Sequence, residues 1–230
     1  MMDWLDWTIA PGVTTFAADI DRIYYLILVI TGIAFVVVEV ALIWFLIKYR
    51  ARPGRRAHYT HGSARAEIVW TSVPAVVVVM IGILSGGVWK HIRGRDSVPP
   101  GAHPVAVHAQ QFEWNVTYAG VDGQLGTEDD FTLRNELRVP TERPVVVNLT
   151  AEDVIHSFFI PDFRVKQDAV PGMDIRVWFE VTQPGEYPLA CAELCGLGHY
   201  RMGARVVALP PDEYDAWVAE QSPNQTVASR

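Results

Sequence analysis

The sequence predicts a membrane-anchored α+β chain: a hairpin of two spanning helices followed by an antiparallel β-domain. Two observations carry that expectation. Two long apolar runs lie before residue 95, and almost everything after Asp96 consists of short runs rich in Val, Phe, Tyr and Trp, separated by Gly, Pro and Asp. The expected boundaries are an external N-terminal segment at 1–22, the helical hairpin at 23–95, the β-domain at 96–215 and a tail at 216–230.

The first run, residues 23–47, carries only Glu39 as a formal charge. It is long enough, at about 1.5 Å per residue, to cross roughly 30 Å of hydrocarbon. The second, residues 68–89, contains Pro74 and the glycines Gly82, Gly86 and Gly87, which membrane helices tolerate better than soluble ones. Tyr24, Tyr25, Trp44, Tyr49, Trp70 and Trp89 fall near the ends of the runs, where amphipathic rings prefer the interface. Glu39 lies inside the first span, where an ionisable group is expensive and should face protein.

The connection at 48–66 holds Lys48, Arg50, Arg52, Arg55, Arg56 and Arg65 and no acid before Glu67. The positive-inside bias places it in the cytoplasm and both termini outside. Residues 1–18 lack the basic n-region and apolar h-region of a signal peptide, so the first helix is expected to serve as its own insertion signal.

From Asp96 onward 9 Lys/Arg face 20 Asp/Glu. Such an acidic balance argues against nucleic acid and permits steering of a basic partner. The strand-like runs at 105–118, 136–139, 145–150, 175–181 and 205–209 favour a sandwich or Greek-key barrel over a βαβ arrangement, with 211–220 as a capping helix. The stretch GVDGQLGTEDD at 120–130 reads as a long hairpin turn and lacks the ordered ligand series of an EF-hand. Asn115, Asn148 and Asn224 open N-x-T matches that carry no weight without a glycosylating compartment.

The chemistry concentrates in ACAELCGLGHYRMGA, where Cys191, Glu193, Cys195, His199 and Met202 follow the pattern C-x-E-x-C-x-x-x-H-x-x-M. In an oxidising compartment two cysteines raise the possibility of a disulfide, here closing a very short loop. Two thiolates, an imidazole and a thioether instead form a soft ligand set that suits copper and disfavours magnesium or calcium. A mononuclear blue site uses one Cys, so the second thiolate points to two bridged coppers. His156, opening HSFFIPDF after an apolar strand, is the candidate for the second imidazole, and a backbone carbonyl completes the set.

On these residues the chain resembles subunit II of cytochrome c oxidase and related haem-copper oxidases, over residues of about 20–215. The resemblance implies a cupredoxin-like β-sandwich and a binuclear copper centre called CuA. Cys191 and Cys195 would bridge the coppers, His156 and His199 would bind one each, and Met202 and the Glu193 carbonyl would complete them. It further implies a magnesium ligand in the Glu193 side chain, a supporting role near the copper for Asp168 in KQDAVPG, and a proton-channel mouth at Glu67 in EIVWTSVP. Without the resemblance, Glu67 reads as a capping carboxylate at a helix N-terminus.

The implied partners are oxidase subunit I with its haem, subunit III, the lipid bilayer and a c-type cytochrome or small copper protein as donor. The implied location is a bacterial-type inner membrane with the copper domain on the periplasmic side. Many members that use soluble cytochrome c have Gln-Trp-x-Trp where this chain has QFEW, so electron arrival falls to Phe112 and Trp114. There is no C-x-x-C-H, so a separate donor is expected. The alternatives are the copper subunit of a haem-copper nitric oxide reductase and a membrane-anchored copper chaperone or mononuclear carrier. Quinol-oxidase relatives lack the copper ligands present here.

Overall fold

A computed structural model describes residues 9–56, 58–94 and 96–222; the remainder of the N-terminal segment and of the tail, with Asn224, lies outside the described residues. Contacts divide the described residues into two units, Asp19–His91 and a β-rich unit that joins residues 9–18 to the described residues from Ile92 to 222.

The first unit is formed by α1 (Ala17–Lys48) and α2 (Ala64–Arg93). Both helices outrun the expected spans because polar turns extend them: Asp19, Asp21 and Arg22 open α1, and Ser63 caps α2 by accepting a hydrogen bond from the Ala66 amide at 3.4 Å. Within the apolar stretch the Thr31 hydroxyl donates to the Ile27 carbonyl at 2.8 Å, and the Ser85 hydroxyl donates to that of Ile81. Those bonds satisfy the hydroxyls inside the helix, as hydrocarbon requires. No residue in the most apolar stretch of either helix is buried by the chain itself, which fits side chains that meet lipid or other helices.

The β-unit contains β1 (His103–Gln110), β2 (Glu113–Tyr118), β3 (Phe131–Arg134), β4 (Glu136–Pro140), β5 (Pro144–Ala151), β6 (His156–Ile160), β7 (Val165–Ala169), β8 (Ile175–Glu180), β9 (Gly185–Cys191) and β10 (Gly203–Leu209). They form two five-stranded sheets, ordered β3-β2-β1-β5-β8 and β4-β10-β9-β6-β7. The pairs β1/β5 and β4/β10 are parallel, whereas the other ladders are antiparallel. These two parallel pairs depart from the antiparallel expectation, because parallel neighbours far apart in the chain leave no local turn signal.

Alternation builds the core. Val105, Val107 and Ala109 on β1, Trp114, Val116 and Tyr118 on β2, and Val145, Val147 and Leu149 on β5 all point inward and are buried. The run at 105–118 folds back on itself as the β1/β2 hairpin, and 120–130 joins β2 to β3. In that loop the buried Asp129 accepts from the Thr127 hydroxyl at 2.7 Å and the Asp122 amide at 3.3 Å. The helix α3 (Pro211–Gln221) closes one end of the domain, with Trp217 edge-on to Tyr118 and Phe131 at 5.0 and 5.3 Å.

Residues 13–16 belong to this unit. Thr14 bridges Val181, the Val13 amide donates to the Asp162 carbonyl at 2.9 Å, and Phe16 packs edge-on to Trp178 at 5.4 Å.

Glu136 joins β4 to β10, accepting from Arg205 at 2.6 Å and from Arg138 at 2.7 Å. The Arg205 bond, ahead of the opposing effect of burial, holds its carboxyl below its ordinary value. A depressed carboxylate contributes stability that is present above the unfolded-state value near 4.3 and lost as pH falls through the folded value. Glu136→Gln is therefore expected to flatten the acid limb of a thermal-unfolding profile of the full chain, by no more than about 1 kcal/mol given the exposure of the pair. Parallel profiles for the two proteins between about pH 6 and pH 3 would refute this linkage.

Candidate metal centre

The site is assembled at one end of the second sheet. His156 is the first residue of β6 and Cys191 the last of β9, and these strands pair with Phe158 opposite Cys191. The remaining candidates lie in the connection from β9 to β10, which pair with Ala190 opposite Gly203. That connection is tied at its base, where the Cys191 amide donates to the Met202 carbonyl and the Ala192 amide to the Ser157 carbonyl, each at 3.0 Å. A single 3-10 turn, His199–Arg201, brings the imidazole and thioether back over the thiols, closed by the Met202 amide donating to the His199 carbonyl at 3.1 Å.

The six expected donors converge. The sulfurs of Cys191 and Cys195 lie 3.8 Å apart, and both cysteines are free. Cys191 Sγ is 4.0 Å from His156 Nδ1 and 3.2 Å from the Glu193 carbonyl oxygen. Cys195 Sγ is 3.6 Å from His199 Nδ1 and equally far from Met202 Sδ. Each sulfur therefore has an imidazole and a weaker donor of its own.

Burial encloses the cluster: His156, Cys191, Cys195 and Met202 are all buried, and His199 is partly exposed. Burial, followed by the neighbouring Cys191, pushes the Cys195 thiol up to about 11. Two thiolates this close and this dry repel each other, and a bound cation is the charge that makes both acceptable. Two sulfurs, two imidazole nitrogens, a thioether and a carbonyl form a donor set that fits copper.

Asp153, which sequence reasoning passed over, orients the site. Its Oδ1 accepts from His156 Nε2 at 2.8 Å, so the proton sits on Nε2 and the Nδ1 lone pair faces the sulfurs. Its Oδ2 accepts from the Gln111 amide at 2.8 Å. Burial raises the Asp153 carboxyl, but the hydrogen bonds from His156 and from the Gln111 and Val154 amides outweigh it and leave it below its ordinary value. The Gln111 side chain in turn donates to the Cys195 carbonyl, joining the β1/β2 turn to the cysteine loop. The position of Asp153, three residues before His156, was the available signal.

Phe112 is partly exposed and its ring lies against the cysteine loop. A Cβ on Gly198 would fall 2.5 Å from that ring, and one on Gly196 would fall 2.6 Å from the Gln111 amide nitrogen. Only glycine permits both approaches. Phe112, Leu197, Gly198, Tyr200 and Arg201 line a shallow cleft of about 350 Å³, and Leu197 and Tyr200 are almost fully exposed.

The other expected residues fall elsewhere. Trp114, named with Phe112 for electron arrival, is fully buried and edge-on to His156 at 6.2 Å, because alternation along β2 turns it into the core. Asp168 on β7 accepts from the Ser157 hydroxyl at 2.7 Å and from Lys166 at 3.0 Å, one residue removed from His156. The Glu193 side chain is exposed on the cysteine loop, and Glu67 is exposed in the first turn of α2, in the helical unit.

Comparison with known proteins agrees with this architecture. Residues 112–209 match the family described as cytochrome C oxidase subunit II, periplasmic domain, and residues 3–87 match cytochrome C oxidase subunit II, transmembrane domain. The chain is 30% identical to cytochrome c oxidase subunit 2 of Synechocystis, over 91% of this chain and 74% of the relative. It is 33% identical to alternative cytochrome c oxidase subunit 2 of Bradyrhizobium diazoefficiens, over 84% and 76%. A crystal structure of the periplasmic domain of subunit II of cytochrome oxidase from Bradyrhizobium japonicum aligns with a TM-score of 0.48 at 27% identity, over 54% of this chain and 96% of that one. The chain belongs to the cytochrome c oxidase subunit II family, and is a membrane-anchored subunit of an oxidase of that kind.

Proposed function

We propose that this chain is the electron-accepting subunit of a haem-copper terminal oxidase, taking electrons from a c-type cytochrome or similar donor and passing them to haem in subunit I, where oxygen reduction is coupled to proton pumping. The observation that carries the reading is the pair of buried sulfurs at 3.8 Å, each with an imidazole and a weaker donor beside it. A single metal ion needs no such doubled set, whereas two ions sharing both sulfurs use all of it.

Cys191 and Cys195 would bridge the two coppers, His156 and His199 would each bind one, and Met202 Sδ and the Glu193 carbonyl would be the weaker ligands. Copper held there supplies one-electron redox chemistry. The chain's own contribution is a cage that moves little. Cys191 is tied to Met202 through the backbone, His156 is held by Asp153, and the loop is joined to the β1/β2 turn through Gln111. Burial keeps water from the sulfurs while His199 stays near the surface.

Phe112 is the proposed landing point for the donor. It is a partly exposed aromatic two residues before the buried Trp114, and it rests on the loop that carries Cys195 and His199. The exposed Glu193 side chain is the proposed magnesium ligand shared with subunit I, and Glu67 the proposed mouth of the proton channel. The excess of cations between the helices supports a bacterial inner membrane location with the β-unit on the periplasmic side. Subunit III is the further proposed partner.

Electron paramagnetic resonance of the copper-loaded full chain tests the reading. The expected signal is one unpaired electron shared by two coppers, and a single-copper pattern would revive a mononuclear carrier. Cys195→Ser is expected to abolish the shared-electron signal while the β-sheet circular dichroism persists. Asp153→Ala is expected to weaken copper binding by about 10–100-fold, because the His156 ring loses its orienting acceptor. Unchanged copper affinity in Asp153→Ala, read by competition with a chelator, would remove that residue from the site.

A further inference from the structure

From the end of α1 to the first turn of α2 the chain holds six cations, Lys48, Arg50, Arg52, Arg55, Arg56 and Arg65, and no carboxylate before Glu67. All six are exposed. Arg50, Arg52, Arg56 and Arg65 have no ion-pair partner among the described residues.

Part of this segment is built rather than merely charged. Arg55 folds back to donate to the Lys48 carbonyl at 2.7 Å, closing the C-terminal end of α1, and its guanidinium lies 5.5 Å from the Tyr49 ring. Lys48 Nζ sits 5.4 Å from the Trp44 ring and 5.5 Å from that of Tyr49. The chain thus stacks two cations on two aromatic rings where a spanning helix leaves the hydrocarbon. That is the depth of lipid headgroups, and the four unpaired guanidinium groups follow within the same connection and at the start of α2. A planar guanidinium pairs with a phosphate through two parallel hydrogen bonds, which suits it to anionic headgroups better than an ammonium.

We propose that this connection is an anionic-phospholipid binding site: Trp44, Tyr49 and Lys48 set its depth at the headgroups, and Arg50, Arg52, Arg56 and Arg65 bind the phosphates. Positive-inside orientation needs only a charge bias, whereas a headgroup site makes the segment's order depend on which lipid is present.

The test reconstitutes the full chain into nanodiscs of phosphatidylcholine alone and of phosphatidylcholine mixed with phosphatidylglycerol, and reads amide hydrogen exchange in the connection. Exchange is expected to slow by about tenfold or more in the mixed discs, and the protection to fade at high salt. The triple variant R50Q/R52Q/R56Q should lose the protection while α1 and α2 exchange as before. Equal exchange in the two lipids would overturn the proposal. Equal protection in phosphatidylcholine discs given inorganic phosphate would replace it with a free-phosphate site. Protection of the assembled oxidase that is the same in both lipids would give the surface to a partner subunit.

Discussion

Two sulfurs held 3.8 Å apart and away from water impose the condition on which the rest of the β-unit depends. The Cys195 thiol resists ionisation there, because burial and then the neighbouring Cys191 act against its thiolate. A flexible loop would relieve the repulsion by letting the sulfurs separate. Here it cannot, since the chain leaves β9 at Cys191 and rejoins β10 just after Met202, with the two strands already paired and Cys191 bonded to Met202. The ladder holds Cys191 and the Gln111 side chain holds the Cys195 carbonyl, and a bound metal ion would relieve the close approach.

The same constraint explains the supporting residues. Gly196 and Gly198 leave room for Gln111 and Phe112 to lie against the loop. Gln111 then donates its backbone amide to Asp153 and its side-chain amide to the Cys195 carbonyl, so β1/β2, the segment before β6 and the β9/β10 connection meet at one residue. Asp153 completes the arrangement by fixing which ring nitrogen of His156 carries the proton. A centre that exchanges single electrons benefits from such restraint, because ligands already in place need little rearrangement when the charge on the metal changes.

Charge is divided along the chain in a way that serves both units. The β-unit is acidic, which favours the approach of a basic partner and weakens with added salt. The connection between the helices is wholly basic up to Glu67, which orients the hairpin. Around Phe112 the surface is instead apolar, with Leu197 and Tyr200 exposed and Arg201 at the edge of the cleft. A basic partner drawn in by the acidic field would meet apolar contacts at that cleft.

The two apolar helices, the strand-rich domain and most of the residues that converge on the site were legible in the sequence, because each leaves a local mark: long apolar runs, short alternating runs and a dense spacing of sulfur and imidazole. His156 was reachable only through the company of the cysteine motif. Asp153 left only its place three residues before His156, and Gln111 left no mark, since an acid before a histidine and a glutamine in a turn are common and acquire meaning only when three segments meet. The parallel pairings of β1 with β5 and β4 with β10, the docking of residues 13–16 and the burial of Trp114 were likewise decided by tertiary structure. Composition and spacing determine which atoms are available to bind metal. Only the register of strands distant in sequence decides which of them meet, because ladder pairing, not chain proximity, sets the distance between β6, β9 and β10.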